Sequence, residues 1–303
     1  MSSDTIRRTP EEIRVGEAVG TRWVGVALIL LGAAIAVCAA LGPLVLDVIE
    51  YRVSPSAVRQ IVGVDAVGLV AVAPWSIAVG VAVLRGRRGL VPLGIAPALF
   101  AAYTYAQLFV GNEYLYLPGN VERFSPLLLT TFVLALAVIV GVTHVWTTLP
   151  VLPSSSPVNR LAGVTLLLTA AFVVVGIHLR SYVDALSARP TGAGYLADPT
   201  VFWLVKFMDL GLVTPAAVTV GIGMLSGRSW ARRPAYAIVG GYALLGMSVA
   251  AMAVTMFLSG DPDGSLGLTL GSITAAALLV GVAGALYRPL LIGRSHWHVD
   301  EQA

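Results

Sequence analysis

Long apolar stretches alternate with short polar, arginine-bearing ones along this chain. Eight stretches run over about 22–48, 60–84, 90–111, 124–147, 160–182, 200–226, 234–258 and 265–287. Each is long enough to cross a hydrocarbon core about 30 Å thick as a helix. In lipid, such stretches become helices because a helix closes its own backbone hydrogen bonds. The short, alternating segments of a membrane β-barrel do not occur. The pattern predicts an all-α integral membrane protein with eight transmembrane helices.

The second half of the pattern echoes the first. PWSIAVGVAVLRGR at 74–87 aligns with PAAVTVGIGMLSGR at 215–228, keeping Pro74/Pro215, Val79/Val220, Gly80/Gly221, Leu84/Leu225, Gly86/Gly227 and Arg87/Arg228. RWVGVALILLGA at 22–33 aligns with RLAGVTLLLTAA at 160–171. The expected organisation is an N-terminal tail (1–21), a four-helix repeat (22–148), a linker (149–159) rich in proline and serine, a second repeat (160–288) and a C-terminal tail (289–303). Four is an even number, so both copies enter the membrane from the same side and the repeats are parallel.

Composition agrees: 57% of residues are hydrophobic, only 12% are charged, and the mean hydropathy is +0.85. An ordinary soluble domain is excluded. Charge then orients the helices. Of the 19 basic residues, thirteen fall in the tails and turns on the N-terminal side, five in the opposite loops, and Lys206 within a span. The positive-inside bias predicts both termini on the cytoplasmic side of a plasma membrane. The net charge of +3 reflects this asymmetry and does not indicate nucleic-acid binding. Cys38 is the only cysteine, so no intrachain disulfide forms.

Ionisable residues inside spans are the candidates for function. Asp65, Tyr103, Tyr105, His178, Arg180 and Asp209 all fall in the outer third, with Lys206 three residues before Asp209, whereas the midplane is apolar apart from kinks at Pro74 and Pro215. Asp65 and Asp209 hold similar places in the two copies, and Lys206 is spaced to pair with Asp209 on one helix face. For Asp65 the expected partners are Arg59, Arg180 or a tyrosine hydroxyl. His178 has no partner at metal-ligand spacing, and His296 and His298 flank Trp297 without completing a site. Neither a metal site nor a catalytic set is expected, and no cofactor is specified.

The Asp65-bearing helix, Tyr103-Thr104-Tyr105, Phe124-Ser125-Pro126-Leu127 and the run from Asp209 to Pro215 resemble a group of uncharacterised prokaryotic multi-pass membrane proteins. The 215–233 segment and its first-half counterpart also resemble the second helix and turn of four-helix DoxX-type modules. These resemblances imply the fold and bring no activity or catalytic residue with them. The functional expectation is an outward-facing polar pocket between the repeats that binds a small molecule or lipid, with translocation as its extension. The alternatives are a membrane subunit of an oxidoreductase binding quinone or lipid, and a structural or assembly subunit. Partners follow accordingly: the lipid bilayer, a small-molecule, lipid or quinone ligand, and a homo-oligomer or larger membrane complex, but no nucleic acid.

Overall fold

The computed structural model describes residues 10–149 and 155–292. Residues 1–9, 150–154 and 293–303 of the tails and linker read from the sequence, with His296, Trp297 and His298 among them, lie outside the described residues. All regular structure among the described residues is helical, and eight helices are long and apolar enough to cross a membrane. They are α1 (Gly20–Leu41), α2 (Pro55–Leu84), α3 (Arg88–Val110), α4 (Val121–Thr148), α5 (Ser156–Ala185), α6 (Pro199–Leu225), α7 (Ser229–Leu258) and α8 (Leu266–Ile292). Turns at 85–87 and 226–228 mark an arginine-rich end. Segments 42–54, 111–120, 186–198 and 259–265 gather at the other, loop-rich end.

Several boundaries differ from the hydropathy pattern by four residues or more, and two of them have a plain physical cause. Residues 42–48 are apolar but leave the helix, because Gly42 stands before Pro43, which disfavours helical geometry at the preceding residue. The segment folds back instead, with the amides of Asp47 and Val48 on the carbonyls of Gly42 and Leu41. At the linker, helix resumes at Ser156 rather than Arg160, since Pro157 sits in the first turn, where its missing N–H costs nothing.

Glycines set how the helices cross. A Cβ on Gly80 would meet the Gly25 carbonyl at 2.6 Å, and one on Gly25 would meet the Gly80 carbonyl at 3.1 Å. Only glycine lets the backbones of α1 and α2 come this close. Gly163 and Gly221 cross in the same reciprocal way, at 3.0 and 3.1 Å, between α5 and α6.

Pro74 and Pro215 do more than kink their helices. Each follows a wide π turn, Gly68–Val72 in α2 and Asp209–Val213 in α6. The amide before each proline reaches back five residues, Ala73 to Gly68 and Thr214 to Asp209. The wider turn gives room for the proline ring, which would otherwise strike the carbonyl four residues earlier. A third π turn, Phe172–His178 in α5, has no proline.

The two halves meet along α2, α3, α6 and α7. Arg59 on α2 pairs with Asp261 at 2.6 Å, and Thr255 Oγ1 donates to the Arg59 carbonyl. Glu113 accepts from the Thr200 amide at 2.6 Å, closing the first turn of α6. Asp198 takes both the amide and the hydroxyl of Ser54, at 2.7 and 2.5 Å. Near the arginine-rich end the joint is aromatic: Tyr236 stacks on Tyr287, Trp75 meets Tyr287 edge-on, and Trp146 meets Tyr236 edge-on.

Candidate functional site

The α5–α6 hairpin brings His178 and Asp209 together, His178 seven residues before the end of α5 and Asp209 ten residues after the start of α6. His178 Nε2 is 2.8 Å from Asp209 Oδ2. The other oxygen, Oδ1, accepts from the Tyr103 hydroxyl of α3 at 2.7 Å. Both carboxylate oxygens are thus engaged by side chains from two other helices. By helical rise, Asp209 lies ~15 Å below Pro199, where α6 begins. The Asp209 side chain is 18% exposed and that of His178 only 5%. The carboxylate is therefore reachable, but not from open water on all sides.

Two π turns aim these groups. His178 closes the wide turn of α5 and points inward while Val175, Gly176, Ile177, Leu179 and Arg180 face outward. Asp209 opens the wide turn of α6. Each π turn inserts a residue and shifts the helix face, so a 3.6-residue period mispredicts what points where.

Further polar groups surround the cluster. Gln107, one turn beyond Tyr103, has a buried Nε2 with no partner, as does the Tyr242 hydroxyl of α7. Lys206, buried and one turn before Asp209, gives a hydrogen bond to Ser181 Oγ at 2.9 Å. Its ammonium also lies 3.7 Å from the centre of the Phe202 ring, an arrangement that stabilises a desolvated cation. The expected ion pair between Lys206 and Asp209 does not form, because Tyr103 and His178 already occupy the carboxylate. Phe202 belongs to a ring cluster with Tyr182, Tyr195 and Trp203 at the loop-rich end.

Asp65 belongs to a different cluster. It is buried inside the first half, and its Oδ2 has no hydrogen-bond partner. Around it stand Cys38 of α1, Tyr105 of α3 and Tyr51 of the 42–54 segment, all buried. The Tyr51 hydroxyl also lacks a partner. Burial pushes the Tyr51 phenol well above its usual range, so it keeps its proton and remains a donor. Gly42 leaves room for the Asp65 carboxyl; a Cβ there would collide with Oδ2. Arg59, one expected partner, is committed to Asp261.

The six sequence candidates are thus distributed over three places. Tyr103, Lys206 and Asp209 come together between the halves. Asp65 and Tyr105 lie within the first half. Tyr103 and Tyr105 are two residues apart on α3, so they point to opposite sides of the helix. Arg180 is exposed and joins neither group. His178 belongs to the site although the sequence gives it no metal-ligand partner; its depth, in the same outer third as Asp209, is the signal that pointed to it. Gln107, Tyr242 and Tyr51 were also missed, since none stands out by type or spacing, and Cys38, singled out as the only cysteine, gave no sign of Asp65 beside it. Among the described residues, no three His, Cys, Asp or Glu side chains gather as a metal ion would need.

No protein-family model, curated protein or solved structure matches this chain.

Proposed function

We propose that this chain binds a small molecule or lipid at the polar pocket formed by Tyr103, His178 and Asp209 between its two halves, with translocation as the extension of that reading. The observation that carries the proposal is a carboxylate inside a membrane-spanning helix, held by a phenol and an imidazole from two other helices. Ionisable groups at such depth are costly in lipid and are kept where they serve a ligand or proton path. The buried Tyr242 hydroxyl, which has no partner, and the Gln107 amide beside Tyr103 add hydrogen-bonding capacity to the pocket. A ligand entering the pocket would exchange with the Tyr103 or His178 bond to Asp209.

The same proposal holds that the protein is two parallel copies of one four-helix module, as its likeness to DoxX-type modules implies. Three correspondences support this. The Gly25–Gly80 and Gly163–Gly221 crossings match, the π turns before Pro74 and Pro215 match, and Gly86 and Gly227 both take positive φ, +88° and +69°. It puts the arginine-rich end and both termini in the cytoplasm, on the strength of the arginine bias, and takes the membrane as a prokaryotic-type plasma membrane from the resemblance alone. The pocket then opens towards the outside.

Extraction tests the binding reading. Wild-type protein and Asp209→Asn are purified in a mild detergent, and their organic extracts are compared by mass spectrometry. A molecule that accompanies the wild type should fall by about tenfold or more in the variant, the effect of losing one good polar contact. Identical extracts from two equally folded proteins would overturn the proposal.

A further inference from the structure

We infer that the first half contains a second, separate site, in which Asp65 binds a monovalent cation, either a proton or an alkali ion, beneath the 42–54 segment. This does not rest on the Asp209 pocket. Asp65 is 4% exposed, and its Oδ2 has no partner. An ionised carboxylate in such a place is strongly disfavoured unless a positive charge accompanies it. None of the three ion pairs among the described residues includes Asp65. The titratable groups facing it are Cys38 from α1, Tyr51 from the covering segment and Tyr105 from α3, and none of them carries positive charge. Neighbouring α4 contributes Thr131, which is 3.5 Å from Cys38 Sγ. The missing charge must therefore come from solution.

The second unpartnered atom makes this a site rather than a lone acid. Tyr51, a residue only 5% exposed, feels the charge of Asp65, and its unpartnered hydroxyl is the oxygen the covering segment can offer a bound ion. That segment is tied down at several points. Arg52 is held by Glu122, by the Leu117 carbonyl and, through its amide, by Asn112 Oδ1; Asn120 clasps the Glu50 amide and the Val48 carbonyl. An ion at Asp65 would join α2 to this cover through Tyr51, so occupancy and closure of the cover are coupled.

The test is the melting temperature of the detergent-purified full chain. One series compares sodium chloride with choline chloride, and the other runs from about pH 5 to about pH 9. If an alkali ion is the ligand, sodium stabilises the wild type over choline and leaves Asp65→Asn unmoved. If a proton is the ligand, the wild type weakens as pH rises, Asp65→Asn does not, and sodium has no effect. Tyr51→Phe, which keeps the carboxylate, should weaken whichever response appears, and it serves if Asp65→Asn fails to fold. Asp209→Asn should retain the full response. Parallel curves for wild type, Asp65→Asn and Tyr51→Phe in both series would overturn the proposal. Loss of the response in Asp209→Asn would overturn the separateness of the two sites.

Discussion

Tyr103 on α3 donates its hydroxyl to Asp209 on α6 at 2.7 Å, and this bond ties the first half of the molecule to the second inside the membrane-spanning region. Removing it leaves a buried phenol site empty and one carboxylate oxygen exposed to low dielectric. Tyr103→Phe should destabilise the protein by about 1–2 kcal/mol, the range for a membrane-buried polar contact. Asp209→Ala, which leaves the phenol no acceptor, should remove most of the effect of adding Tyr103→Phe. A double-mutant cycle on melting temperature checks this, and additive losses would mean that the two side chains do not act as a pair.

The glycine crossings predict a contrast within one residue type. Gly80→Ala places a methyl 2.6 Å from the Gly25 carbonyl, a backbone atom that cannot swing aside. It should cost about 1–3 kcal/mol through overpacking. Gly221→Ala, with contacts no shorter than 3.0 Å, should cost less. Gly267→Ala in α8 meets nothing within 4 Å and should be neutral or slightly stabilising, as alanine is the better helix former. Thermal unfolding of the three variants orders them.

Asp261 gives a pH dependence with a definite sign. The Asp263 amide, with Arg59 beside it, holds the Asp261 carboxyl below the usual carboxylate range. A carboxyl lowered on folding stabilises the fold in full above its ordinary value of 3.8, and the contribution fades as pH falls through the lower folded value. Asp261→Asn should therefore melt below the wild type at neutral pH. The gap should close only in strong acid. A gap that stays constant down to that range would show that the effect is not the charge.

Asp198 should act as a clasp between the halves. Its carboxylate holds the Ser54 amide and hydroxyl at the start of α2. Asp198→Ala leaves that amide buried without a partner and should cost about 1–3 kcal/mol. Hydrogen exchange at the N-terminal turn of α2 should accelerate in the variant, and unchanged protection there would contradict the assignment.

Much of this architecture is legible in the sequence, because lipid demands long apolar helices and the hydropathy pattern records them directly. The exception at 42–48 is instructive: the residues are apolar, but Gly42-Pro43 ends the helix and turns them into a cover for Asp65. The grouping of site residues was less legible. Placing Asp65 and Asp209 in one pocket assumed that helical phase runs unbroken, and the π turns at 68–72, 172–178 and 209–213 break it. Tyr103 and Tyr105 read as a pair in sequence, yet α3 points them at different clusters. The depth of His178 was legible, but its bond to Asp209 was not, since its chemistry depends on a residue from another helix.

The central claim is that Tyr103, His178 and Asp209 form a ligand pocket and not merely a brace between helices. A cryo-electron microscopy map of the wild type in lipid nanodiscs tests it most directly, with Asp209→Asn alongside. The account predicts non-protein density against Asp209, Gln107 and Tyr242 in the wild type, and its loss in the variant with the helices unmoved. A wild-type map in which the three side chains close on one another with nothing between them, and which Asp209→Asn leaves unchanged, would contradict it.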